Sequence, residues 1–196
     1  MEIKESGLTF TFSSSVDALK FDETSFYLKT FSHQPEGKGV DIMMNSPTCC
    51  QLIEIKNCTG HEPENYWRVF SNNSKVCKAP TNTLGEPRES LDIEVAKKVA
   101  STISCLYGAY IKSAQQKSAS ELTLWWEAIS DCNIVSLKKS LLIVLFLEGD
   151  FKTRTRSKKM IMKDLQDSLK KKLSWLNCKV SVIDSSEYPK QYFIVK

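Results

Sequence analysis

The sequence predicts an α/β sandwich, and three observations carry that prediction. Its periodic segments run in the order strands, helix, strand, helix, strand. Residues 141–147 form an unbroken apolar run, the pattern of a central strand covered on both faces. Ala96, Val99, Ile103, Leu106 and Tyr110 recur at alternating spacings of three and four, the stripe of a helix with one buried face.

The elements follow in order. Leu8 to Phe12 alternates apolar residues with threonine and reads as an early strand. Residues 16–31 scatter Leu19, Phe21, Phe26, Tyr27 and Phe31, which fits a strand plus a helix or two strands. Residues 34–39 carry Pro and Gly and make a turn. Two strands then flank Asn45-Ser46-Pro47-Thr48-Cys49, where Pro47 suits the second position of a turn because its φ is already fixed. Residues 61–88 are the least regular stretch, an insertion rich in Asn, Pro, Thr and Gly. Within it Tyr66-Trp67-Arg68-Val69-Phe70 either docks on the core or forms a short strand.

Residues 90–112 read as the first long helix. Ser118-x-x-Glu121 has the spacing of a capping box and opens a second helix through Leu122, Trp125, Trp126 and Ile129. Residues 141–148 are the central strand. Ser157 caps a third helix that aligns Ile161, Leu165, Leu169, Leu173 and Leu176. Residues 179–184 and 192–195 read as closing strands.

A chain of 196 residues is one domain, 1–196, long enough to bury a full core. With 41% hydrophobic and 26% charged residues it belongs with folded globular chains rather than disordered ones. No apolar run approaches a membrane span, and Met1-Glu2-Ile3-Lys4-Glu5 has no apolar signal region. Seven irregularly spaced cysteines suit reduced thiols, so a cytoplasmic protein with no membrane partner is expected. Cys58-x-x-His61 supplies only one short ligand pair, too few for structural zinc. The net charge is +4, yet residues 152–172 hold nine bases against two acids, either a phosphate-contacting segment or a solvated helix face.

Two short stretches carry the chemistry. Val40-Asp41-Ile42-Met43 puts a carboxylate inside an apolar run, and Leu52-Ile53-Glu54-Ile55-Lys56-Asn57 puts a carboxylate and an ammonium two apart inside another. In a strand Glu54 and Lys56 share one face while Ile53 and Ile55 take the other. A hairpin loop at Ser46–Cys49 pairs Asn45 with Cys50 and therefore Asp41 with Glu54. Opposed residues sit about 4.5–5.5 Å apart at Cβ, so the two carboxylates repel unless a cation lies between them. A hard divalent ion such as Mg²⁺ suits that oxygen-only pair. As an exposed ion pair, Glu54 and Lys56 would contribute only ~0–1 kcal/mol and would need no Ile and Leu flanks.

These residues resemble the PD-(D/E)XK nuclease superfamily: Asp41, Glu54 and Lys56 match its D…ExK motif, with Val40 where the family name has its often-replaced proline. The resemblance is strongest from about Phe21 to Asn57 and continues as element order. It implies a restriction-endonuclease-like core, a central mixed β-sheet flanked by helices. It implies a metal-dependent nuclease hydrolysing DNA phosphodiester bonds, in a setting such as genome defence. Asp41, Glu54 and the Ile55 carbonyl would hold Mg²⁺ or Mn²⁺. Lys56 would orient or deprotonate the attacking water, or stabilise transition-state charge. Many members add an upstream acid, for which Asp22, Glu23 and Glu5 are candidates. Lys97 and Lys98 begin a helix where such folds often carry a supporting polar residue, with neither assigned a role. The small chain leaves room for a homodimer or a separate targeting or ATPase subunit. Two other readings stand beside this one: a catalytically silent nuclease-like subunit that binds DNA or a partner protein, and a metal-free interaction module.

Overall fold

In the computed structural model, which describes residues 1–35, 37–71, 89–116, 121–130 and 139–196, a five-stranded sheet lies between helices on one face and a three-stranded sheet on the other. The strands are β1 (Glu2–Glu5), β2 (Leu8–Phe12), β3 (Asp17–Lys20), β4 (Ile42–Asn45), β5 (Cys49–Asn57), β6 (Ser140–Glu148), β7 (Cys178–Ile183) and β8 (Phe193–Val195). The helices are α1 (Ser25–Lys29), α2 (Glu62–Asn65), α3 (Leu91–Gln116), α4 (Thr123–Ser130) and α5 (Lys158–Lys172).

The large sheet has the order β3-β4-β5-β6-β7 and is mixed. The pairs β3–β4 and β4–β5 are antiparallel, while β5–β6 and β6–β7 are parallel. The α/β class and the mixed sheet agree with the sequence reading. Among the described residues the flanking helices lie on one face of this sheet. Parallel connections are almost always right-handed, so two crossovers stepping the same way across a sheet put α3 and α5 on the same side. The opposite face is sealed by β1-β2-β8, an antiparallel sheet.

Side-chain alternation sorts the core accordingly. Leu52, Ile143, Leu145 and Leu147 join the helix-side cluster with Val95, Val99, Leu106 and Leu165. Ile53, Ile55, Val144 and Phe146 join the other cluster with Phe10, Phe12 and Phe193. Strand β6 is apolar from Leu141 to Leu147 because both of its faces are covered.

Several ambiguous stretches resolve. Residues 16–31 are a strand plus a helix, joined by a 3-10 turn at Phe21–Glu23. Tyr66–Val69 forms a 3-10 turn docked on the core rather than a strand. The rest of the expected insertion, residues 72–88, lies outside the described residues. The expected cap Ser118 also does, and the Glu121 carboxylate accepts the Ser25 N–H instead (2.5 Å). Ser157 does cap α5, its Oγ accepting the Met160 N–H. Strand β1 had no counterpart in the sequence reading. It pairs with β2 through a two-residue turn, where Ser6 (φ 51°) and Gly7 (φ 77°) both take the left-handed conformation a type I′ hairpin needs. Trp125 and Trp126 pack against the helix-side core, Trp126 against Tyr107 and Tyr110. Among the described residues no helix is long and apolar enough to cross a membrane.

Candidate active site

The β4–β5 hairpin fixes the site. Asn45 pairs with Cys50 and Ile42 with Ile53, so one further step sets Asp41 across from Glu54, the register expected from Pro47. Met43 and Leu52 face the helices, and by alternation Asp41, Glu54 and Lys56 face them too. The turn into Asp41 is set by close packing at Gly39, where a Cβ would lie 2.1 Å from the Phe21 ring. Phe21 N–H donates to the Asp41 carbonyl (2.9 Å), and Val40 N–H donates to Thr102 Oγ1 (3.0 Å), tying the strand entrance to α3.

Helix α3 meets these residues with two of its own, one turn apart. The Lys98 ammonium donates to Glu54 Oε1 (2.6 Å) and Asp41 Oδ1 (3.3 Å). Lys56 donates to the same Glu54 oxygen (2.8 Å) and to Glu94 Oε1 (2.8 Å). Arg68, from the docked 3-10 turn, pairs with the other Glu94 oxygen and donates to Asn65 Oδ1. Asp41 Oδ2 accepts the Ile55 N–H (2.7 Å). The result is an alternating chain of Asp41, Lys98, Glu54, Lys56, Glu94 and Arg68, with equal numbers of each sign.

Glu54 is fully buried, and its Oε2 has no hydrogen-bond partner among the described residues. Burial pushes its carboxyl up to about 6, against the pull of Lys56 and Lys98. Burial would lower Lys56, but Glu54 and Glu94 outweigh it and hold the ammonium above its ordinary value. Burial likewise works against the Glu94 carboxylate, but Lys56 and Arg68 hold it at about 2.

The three upstream acids separate. Glu5 and Glu23 both bind Lys20, at 3.1 and 3.0 Å. Asp22 keeps one buried oxygen without a hydrogen-bond partner among the described residues, and its carboxyl is raised by burial against the pull of Lys20, with Glu5 and then Asp41 adding to the rise. Lys97 turns away to Glu89. Sequence reasoning missed Glu94 and Arg68. The i, i+4 spacing of Glu94 and Lys98 on the helix after the motif was the available signal for Glu94.

An open cleft of about 450 Å³ adjoins Lys56, lined also by Ser6, Asn57, His61, Asn65 and Arg68. It lies at the carboxyl end of β5, the usual ligand side of parallel strands. The basic stretch 152–172 is largely engaged with acids. Lys152 pairs with Asp150, Arg156 with Asp164, Lys158 with Asp184, Lys159 with Glu187, Lys163 and Lys170 with Asp167, and Lys172 with Asp92.

Fold and site together define an α/β protein whose β4–β5 hairpin presents a buried carboxylate, with a part-buried acid and lysine beside it, beneath a long helix. Residues 24–196 match the model of a family of unknown function, DUF6661, and the chain belongs to that family. No curated protein and no solved structure matches the chain.

Proposed function

We propose that this cluster is the active site of a metal-dependent nuclease of the PD-(D/E)XK type, with a restriction-endonuclease-like core, acting on DNA phosphodiester bonds. One observation carries the reading. A fully buried carboxylate, Glu54, stands opposite Asp41 with one oxygen unpartnered, and Lys56 shares its face. Burying charge is costly and buried ion pairs are weak stabilisers, so a sheet gains little from such a cluster in the absence of a task.

The donor set suits Mg²⁺ or Mn²⁺. Asp41, Glu54 and the Ile55 carbonyl offer only hard oxygens. Among the described residues no group of three or more Asp, Glu, His or Cys side chains is placed to hold a metal ion, so a bound ion would rest on two carboxylates and one carbonyl. Mg²⁺ is typically held in that open way, by one or two carboxylates with the rest left to water and phosphate. When bound, the ion would polarise the scissile phosphate and acidify a coordinated water.

The protein's own groups supply the rest. Asp41 is steadied by the Ile55 N–H. Glu94 and Glu54 hold Lys56 in its charged form at the cleft, so Lys56 suits water orientation and stabilisation of negative charge better than proton abstraction. Arg68 fixes Glu94 and lines the same cleft, where a phosphate backbone would pass. A partner subunit for targeting, in a role such as genome defence, belongs to the same reading.

A second reading has its own observation. The Lys98 ammonium already bridges Asp41 and Glu54, and the network is charge-balanced as it stands. That favours a catalytically silent subunit binding DNA or a partner protein. Cleavage of supercoiled plasmid, linear duplex and single strands with Mg²⁺ or Mn²⁺ decides between them. Asp41→Ala, Glu54→Ala and Lys56→Ala should each lower metal-dependent cutting by about 100-fold or more. Cutting that survives all three variants contradicts the assignment, and metal binding without cutting favours the silent subunit.

A further inference from the structure

We propose that Lys98 is a tethered counter-cation, seated between Asp41 and Glu54 until a divalent ion displaces it, so that it sets the metal threshold of the site. This rests on the reading of Asp41 and Glu54 as metal ligands. The two lysines of the cluster are not equivalent. Lys56 divides its bonds between Glu54 and Glu94, so one of its anchors lies outside the ligand pair. Among the described residues the Lys98 ammonium donates to Asp41 and Glu54, the two carboxylates of the ligand pair. A divalent ion taking those two carboxylates therefore competes with Lys98 directly and leaves Lys56 its Glu94 anchor.

The placement of Lys98 is built into the fold. Thr102, one turn further along α3, donates to the Lys98 carbonyl (2.8 Å) and accepts the Val40 N–H, which locks the helix against the residue preceding Asp41. The Lys98 side chain is 13% exposed, so its flexible stem has a route to water. With the lysine seated, two opposed carboxylates are compatible with a dry interior. Without it, Lys56 would still pair with Glu54, Asp41 would lose its ammonium partner, and Glu54 Oε2 has no hydrogen-bond partner among the described residues. The seat is thus filled by a monovalent group that a doubly charged ion can outbid, which gives the site a resting state that needs no metal to remain folded.

Calorimetric titration of the full chain with Mn²⁺ tests this, using wild type, Lys98→Met, Lys98→Gln and Lys98→Met/Glu54→Gln. Both single variants should bind at least about tenfold more tightly than wild type, as expected for removing a competing charge at contact distance. The double variant should lose that gain. The rise in melting temperature on adding Mn²⁺ should be larger for Lys98→Met than for wild type, and if Lys98→Met folds poorly Lys98→Gln carries the comparison. Equal or weaker binding by the single variants overturns the proposal, as does a tighter site that ignores Glu54→Gln. Cutting is read separately. Tight binding with no cutting by any variant keeps the counter-cation and removes the nuclease. Metal-dependent cutting by wild type, with no tightening on loss of Lys98, does the reverse.

Discussion

The two faces of the β4–β5 hairpin are built from adjacent residues and have opposite chemistry. On one, Ile42, Met44, Ile53 and Ile55 meet the small antiparallel sheet in a wholly apolar cluster. On the other, one residue out of phase, Asp41, Glu54 and Lys56 meet Glu94 and Lys98 of α3. The apolar face is fully buried, and on the charged face Glu54 is buried as deeply while Asp41, Lys56, Glu94 and Lys98 are part-buried, so exposure alone does not explain a carboxylate at the Glu54 position. The apolar face follows from area removed from water. The charged face carries a desolvation cost that ion pairing offsets only in part, and the raised Glu54 carboxyl registers it. A fold that seals one face so well had apolar alternatives for the other. The contrast is what supports placing the proposed site on the helix side of the sheet.

That contrast can be broken or sharpened by experiment. The largest effect should come from the apolar face. Phe146 packs edge-on against Phe10 at 5.2 Å and contacts Tyr188, so Phe146→Ala should destabilise the protein by about 3–5 kcal/mol in urea unfolding. A loss below ~1 kcal/mol would mean that face is not the stability anchor.

Next is the acid limb of stability. The Glu94 carboxyl is held at about 2 in the fold against 4.5 unperturbed. A depressed acid stabilises above its unfolded pKa and loses that contribution as pH falls toward its folded value, here between 4.5 and about 2. The stability difference between wild type and Glu94→Gln should therefore shrink by roughly 3 kcal/mol across that window. A pH-independent difference would place Glu94 outside the network.

A smaller effect, of opposite sign, is expected from replacing charge with hydrocarbon. Glu54→Leu/Lys98→Met removes one buried acid and one buried base together. It should leave stability unchanged or raise it by about 1–3 kcal/mol while abolishing metal binding. Marked destabilisation would show the charges to be structural.

The hairpin was legible because its information is local. Pro47 sets the turn, the turn sets the register, and alternation then assigns Asp41, Glu54 and Lys56 to one face. The stripe on α3 and the apolar run of β6 were legible for the same reason. Glu94 looked like an ordinary acid in the first turn of a helix, where the helix dipole alone accounts for it. Arg68 sat in an irregular stretch whose docking depends on contacts far away in sequence. Strand β1 has a single apolar residue, Ile3, and its one local signal, the Ser6-Gly7 turn, is too short to announce a strand by itself. β8 was expected as a strand, but its pairing with β2 across nearly the whole chain has no local signature.

The most direct measurement is the anomalous scattering of Mn²⁺ in crystals of the wild-type protein. A peak is expected bounded by Asp41, Glu54 and the Ile55 carbonyl, with the Lys98 ammonium moved out of its seat. A fully loaded crystal with no peak there, and Lys98 still bridging the two carboxylates, would contradict it.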